Sequence, residues 1–300
     1  MTEFGLTFSL HRANELGLNK KEVMSAALDD LGMRRFRLMS YWDIHEPSQG
    51  TYDFKELDWQ LDMVAAAGGT VTLCLGARQP RWPEFHIPEW AQKLPAKEWH
   101  AALLTYIQKV VERYQSHPAL ASWQLENEAL LKSFGDKTQG DFDRARLRRE
   151  RNLVHQLDPN HPLIMTTSDS WGIPWRAPTP DQFAMSIYRV VLDKNGKVKY
   201  SHDSAFKYRI RRRLINILRW RDLFIHELQA EPWVNKAITE VPIQDQVAQM
   251  SPDQLAYNLR FAISTRMNPI DVWGVEWWYW AQQKGHPEIW DTMRQLLQTL

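Results

Sequence analysis

Cysteine is almost missing. Cys74 is the only one in 300 residues, so no intramolecular disulfide can form and no cysteine cluster can hold a metal. It lies in the apolar run Val71-Thr72-Leu73-Cys74-Leu75, where a buried, inert thiol is expected. Neither sign of charge is in excess: 37 Lys and Arg against 36 Asp and Glu leave a net +1, which argues against a nucleic-acid partner. No apolar run approaches the roughly 20 residues of a spanning helix, so no integral membrane segment is expected. Met1-Thr2-Glu3-Phe4-Gly5 lacks the basic-then-apolar pattern of a signal peptide, which predicts a cytoplasmic protein or a trimmed secreted or surface one. There is no G-x-G-x-x-G and no G-x-x-x-x-G-K, so no nucleotide cofactor is expected. There is no G-x-S-x-G elbow of a serine hydrolase. No metal is expected either, since His226-Glu227 is followed by Ala230 where an H-E-x-x-H motif needs its second His. No linker, repeat or low-complexity stretch divides the chain, and residues 1–300 read as one domain.

Tryptophan is what the chain has in plenty, 15 of 300 residues, which points to flat apolar surfaces as well as core filling. Short apolar runs alternate with amphipathic stretches. Strands are expected to end near Leu6, Arg37, Leu73, Leu125, Ile164, Ile187, Ile225 and Val275. Helical periodicity covers Lys20 to Leu31, Phe54 to Ala67, Ala96 to Tyr114, Phe142 to Leu157, Ala205 to Trp220, Ser251 to Met267 and His286 to Leu300. Eight strands with intervening helices predict an α/β fold, a (β/α)8 TIM barrel. The spacing between the fifth and sixth strands, with Pro174, Pro178 and Pro180, leaves room for little more than a turn of helix. Extended βα loops are expected after strands 3, 6 and 7. The second is a hairpin, because Val190-Val191-Leu192 and Val198-Lys199-Tyr200 flank Asn195-Gly196.

Polar residues at the carboxyl ends of barrel strands carry chemistry, because the interior beneath them is packed. Glu126-Asn127-Glu128 ends the fourth strand, and His226-Glu227 ends the seventh. Two carboxylates on strand ends suit glycoside hydrolysis, in which one protonates the leaving oxygen while the other attacks or directs water.

The run Tyr41-Trp42-Asp43-Ile44-His45-Glu46-Pro47-Ser48-Gln49-Gly50-Thr51-Tyr52-Asp53-Phe54 resembles the W-x-x-x-E-P-x-x-G-x-Y-D-F block of clan A retaining glycoside hydrolases. Trp123-Gln124-Leu125-Glu126-Asn127-Glu128 is similar to their acid/base strand, and Ile225-His226-Glu227 to their nucleophile strand. Arg37, Tyr188 and Trp277-Trp278-Tyr279-Trp280, taken as strand 8, match as well, and the likeness is closest to cellulase-like bacterial members. The chain departs from the cellulase pattern with Gly76-Ala77-Arg78-Gln79-Pro80 after strand 3 and Ser186-Ile187-Tyr188 on strand 6, where that family carries His. The departures bear on the substrate more than on the reaction.

The resemblance implies a retaining hydrolase of β-linked oligo- or polysaccharides, with Glu227 as nucleophile, Glu128 as acid/base and carboxyls about 5–5.5 Å apart. Arg37 and Tyr188 would hold Glu227 ionised, and Asn127 would bind the sugar 2-hydroxyl. Trp42, Trp233, Trp278 and Trp280 are the expected sugar-binding aromatics, with Trp82, Trp171 and Trp175 also at strand ends. Trp59, Trp99 and Trp220 fall within helices and read as packing. Glu231 competes with Glu227 for the nucleophile, and Glu276 reads as one member of an ion pair. The arginine-rich stretches, Arg144 to Arg151 and Arg209 to Arg221, read as solvated helix faces. A monomer is expected. A barrel that binds sugar without cleaving it is the other reading.

Overall fold

A computed structural model of the chain describes residues 2–81, 84–129, 131, 143–193 and 195–300. Trp82, the Phe142 helix start and Lys194 at the hairpin tip lie outside the described residues. Eight parallel strands close into a barrel: β1 (Phe4–Thr7), β2 (Arg35–Met39), β3 (Thr70–Leu75), β4 (Leu120–Leu125), β5 (Leu163–Thr167), β6 (Gln182–Ile187), β9 (Leu223–Gln229) and β10 (Ile270–Trp273). The order is β1-β10-β9-β6-β5-β4-β3-β2, and β7 (Val190–Leu192) pairs antiparallel with β8 (Val198–Tyr200) in a separate ribbon. Packing is densest within two compact units. One comprises residues 1–36, 185–213 and 224–300, the other residues 37–184 and 214–223.

The strands read as continuous apolar runs because parallel strands are covered on both faces. Leu73, Trp123, Ile164, Phe183, Ile225 and Val272 are all buried, each burial contributing about 1.5–3 kcal/mol against exposure. The helices follow the sequence periodicity closely. Ala96–Tyr114 buries Trp99, Leu103, Tyr106, Ile107, Val110, Val111 and Tyr114 on one stripe. Pro252–Ser264 starts where the Ser251 hydroxyl accepts from Gln254 N at 3.3 Å, with Pro252 in the first turn, where its missing N–H costs nothing.

The last strand differs from expectation. β10 ends at Trp273, and Val275–Gln283 is a helix, so Glu276, Trp277, Trp278 and Trp280 lie beyond the strand. Gly274 makes the break with φ +136°, and a Cβ there would come within 2.8 Å of the Ala230 carbonyl oxygen. Between β5 and β6, residues 168–181 form no helix. No described helix is long and apolar enough to cross a membrane.

Candidate active site

The end of β4 is fixed by hydrogen bonds to side chains rather than by regular backbone. Glu126 and Glu128 both take positive φ, +43° and +44°, a conformation costing about 1–3 kcal/mol each for a residue with a Cβ. The Glu126 carboxylate holds the first bend: it accepts Ala77 N at 3.0 Å, Arg78 N at 2.7 Å and Arg146 Nη1 at 2.7 Å. Gly76 is obligatory beside it, since a Cβ would stand 2.5 Å from Glu126 Cδ. The same Arg146 nitrogen reaches Glu150 Oε1 at 2.7 Å. Burial and the repulsion of Glu126, against the attraction of Arg146, push the Glu150 carboxyl up to about 7.

Asn127 is locked from below. Its Oδ1 accepts from Arg37 Nη2 at 2.9 Å, Gln124 Nε2 at 3.3 Å and the Thr166 hydroxyl at 3.3 Å. Arg37 is itself pinned through Nε to Gln124 Oε1 at 2.7 Å. Three donors on the oxygen fix the flip of the amide, so its NH2 is the end presented to a ligand. The β4–β5 register sets Leu125 opposite Met165, and Thr166 then accepts Glu128 N at 2.7 Å. Glu128 is buried except for 5% of its surface.

Around the end of β9, Glu227 Oε2 accepts from the Tyr188 hydroxyl at 2.7 Å and from Ser186 at 3.2 Å. The Tyr188 ring packs edge-on against Trp233 at 5.3 Å and Trp273 at 5.8 Å. One residue before Glu227, His226 bonds Asp271, which Arg35 Nε also meets at 2.8 Å. Burial opposes ionisation of Asp271, but Arg35 and His226 outweigh it and hold the carboxyl well below the usual range. Gln229 fastens the β7–β8 ribbon, accepting Arg189 N at 3.0 Å and Val190 N at 2.8 Å and donating to Val190 O at 2.7 Å.

Several expected residues do other work. Trp42 is fully buried against Trp90, Trp99 and Tyr106 and offers no face to a sugar. Its indole donates to Glu46 Oε2 at 2.7 Å, and Gly50 N donates to Glu46 Oε1 at 2.8 Å, so the W-x-x-x-E-P-x-x-G spacing builds a loop. Trp278 is also fully buried, donating to the Ala230 carbonyl at 2.7 Å, and Trp280 is buried in the same helix with Lys284 over its ring. Neither stands on a strand. Glu231 Oε1 meets Arg12 Nη2 at 2.6 Å, and Glu276 accepts Ser9 N. Trp220, read as packing, is 83% exposed. Trp273 is the strand-end aromatic that sequence reasoning missed, and Gly274 directly after it was the available signal.

Residues 25–100 match the family Glyco_hydro_42, described as Beta-galactosidase, a span that holds the whole Trp42–Phe54 block. In the solved structures, xylanase 10C from Cellvibrio japonicus superposes on 99% of this chain and 66% of its own, with TM-score 0.62 and 16% identity. The eight-stranded barrel fold is the one these solved glycoside hydrolase structures share. The β-galactosidase of the psychrophilic Marinomonas ef1 has TM-score 0.59 at 14% identity over 90% of this chain and 53% of its own. In sequence, the β-galactosidase Bga of Halorubrum lacusprofundi is 27% identical over 121 residues, which are 34% of this chain and 17% of that protein. The chain thus spans about half of the Marinomonas enzyme, and the sequence match a sixth of the Halorubrum one.

Proposed function

We propose that the chain is a retaining β-glycosidase acting on β-linked oligo- or polysaccharides, with residues 1–300 as one catalytic domain working as a monomer. The locked Asn127-Glu128 pair carries this reading. Arg37, Gln124 and Thr166 fix the Asn127 amide with its NH2 left for a ligand, and Thr166 also holds the backbone of the neighbouring Glu128.

Glu227, held in one rotamer by Tyr188 and Ser186, attacks the anomeric carbon. Glu128 gives its proton to the glycosidic oxygen as that bond breaks. The ionised Glu128 then takes a proton from water, whose oxygen displaces Glu227 and releases the sugar with its β configuration kept. Asn127 donates to the 2-hydroxyl, a bond that strengthens as positive charge develops on the ring. Arg37 acts through Asn127, and half-buried Trp233, packed edge-on against Tyr188, is the aromatic that meets the sugar beside the nucleophile.

The test is a panel of chromogenic β-glycosides of galacto, gluco, manno and xylo configuration, with the anomer of the first product read by NMR. Turnover with retention, lost in Glu227→Gln, is expected. Glu128→Gln should remove the alkaline limb of the kcat/KM profile. Binding of sugars without turnover of any would replace the hydrolase with a sugar-binding barrel.

A further inference from the structure

A barrel crossover ordinarily lays a helix against its sheet. Residues 168–181 form none, because Pro174, Pro178 and Pro180 deny a helix its donors. Beside this segment lies an open cavity of about 470 Å³. Among its eight lining residues are Arg148, Arg151 and Asn152 of helix Arg144–Leu157, Trp175 and Thr179 of the crossover, and Arg219 at the end of helix Ala205–Arg219; none belongs to a strand.

Among the described residues, three guanidinium groups line this cavity and no carboxylate does. Arg219 donates to the Pro174 carbonyl, to Ala177 O at 3.2 Å and to Thr179 Oγ1 at 3.1 Å, all neutral acceptors. Arg151 reaches only Asn152 Oδ1 at 3.2 Å, and its buried Nε has no partner among the described residues. Arg148 has no ion-pair partner among the described residues. The nearby acid Asp181 is engaged by Leu163 N at 2.8 Å and by His155 at 3.5 Å. Clustered positive charge without a counter-charge is unfavourable, and an anion entering the cavity relieves it. Trp175, 61% exposed, adds a flat apolar face of the kind that stacks on sugar rings.

We propose that this cavity is a second carbohydrate site, selective for a sugar bearing a carboxylate or a sulfate ester. Guanidinium forks match both anions in bidentate geometry, while the indole takes the ring's C–H face. The cavity volume falls within the range of small-ligand sites, which suits one or two sugar rings rather than a polymer groove. A near-zero net charge gives little long-range pull on a nucleic acid. The choice of a carbohydrate ligand rests on the glycosidase reading; the charge of the cavity does not.

Isothermal titration of the full chain with D-glucuronate, galactose 6-sulfate, galactose and inorganic sulfate tests it. One or both acidic sugars should bind at least about 10-fold tighter than galactose and than inorganic sulfate. The stronger of the two identifies the anion. Arg148→Ala and Trp175→Ala, both at exposed positions, should each weaken that binding about 10-fold while leaving aryl-glycoside turnover unchanged. Equal binding of acidic and neutral sugars, or binding indifferent to both substitutions, would overturn the proposal. So would inorganic sulfate binding as tightly as the sugars, or a short oligonucleotide binding more tightly. Absence of turnover in the glycoside panel leaves the calorimetry readable, so the two readings fail separately.

Discussion

The Tyr188 hydroxyl lies 2.7 Å from Glu227 Oε2, and Trp233 and Trp273 hold its ring edge-on from two sides. A hydroxyl so placed orients the carboxylate without sharing its charge. Tyr188→Phe keeps the ring packing and removes only the donor. It should cut kcat by about 10- to 100-fold, in line with the ~1.5–3 kcal/mol of a hydrogen bond to a charged group, with little change in melting temperature. A drop in melting temperature as large as that for Tyr188→Ala would mean that the ring, not the hydroxyl, matters.

Glu227 and Glu231 should separate cleanly by assay. Glu227→Ala is expected to fold normally and lose nearly all turnover, with azide restoring part of the rate on an activated substrate and giving the inverted glycosyl azide. Glu231 pairs with buried Arg12, which also meets Glu15 Oε2 at 2.7 Å, so Glu231→Ala removes the buried half of a three-residue network and should cost about 1.5–3 kcal/mol of stability. Urea unfolding and kinetics on the two variants check this. A stable, inactive Glu231→Ala beside an active Glu227→Ala would reverse the assignment.

Glu150 gives the fold a pH dependence of its own. Its folded carboxyl titrates at about 7 against an ordinary 4.5, so the folded chain keeps a proton that the unfolded chain has lost. Stability from this group is full below about 4.5, falls as pH rises towards 7, and is flat above. Glu150→Gln preserves an oxygen for Arg146 and should flatten that part of the curve, so the variant's stability relative to the parent should rise between pH 5 and 7. Denaturant melts across that range measure it, and parallel curves would show that Glu150 is ionised throughout.

The β7–β8 ribbon hangs from Gln229, two residues beyond Glu227, and its tip carries Gly196 beside Asn235 Nδ2. Joining Val190 to Tyr200 through a Gly-Ser linker removes half-buried Val191 and Leu192 and exposed β8, keeps buried Val190, and should leave the melting temperature almost unchanged. KM for oligosaccharides should rise much more than KM for a single-sugar aryl glycoside. Equal losses on both would show that the ribbon supports Tyr188 instead of contacting sugar.

Sequence periodicity located the barrel because its helices are amphipathic and its strands continuous. Helix Ala96–Tyr114 was read to the residue. Helix Val275–Gln283 was not, because Val275, Glu276, Trp277, Trp278, Trp280 and Ala281 are buried around most of its circumference, and such a helix shows no 3.6-residue alternation. Reading that run as strand set Trp278 and Trp280 on β10 rather than on the helix after it, and hid Trp273. The carboxylates were legible since they end apolar runs. The work of Glu126 was not, because its partners Ala77, Arg78 and Arg146 lie 49, 48 and 20 residues away. Trp42 was misassigned for a related reason: its spacing to Glu46 marks a loop clamp, and spacing alone does not distinguish a clamp from a sugar platform.

Arg219 does for residues 168–181 what a helix would have done for itself, since its one guanidinium accepts the company of two carbonyls and a hydroxyl. The bonds reach back 40 to 45 residues along the chain. An ordinary crossover satisfies its backbone as soon as it is made; this one waits for residues not yet synthesised. At ribosomal speeds of about 5–20 residues per second, the segment spends seconds outside the ribosome before its fastener emerges. Completion of this part of the barrel therefore waits on two late arginines, Arg219 and Arg221, the second of which meets Pro180 O through Nε at 2.6 Å.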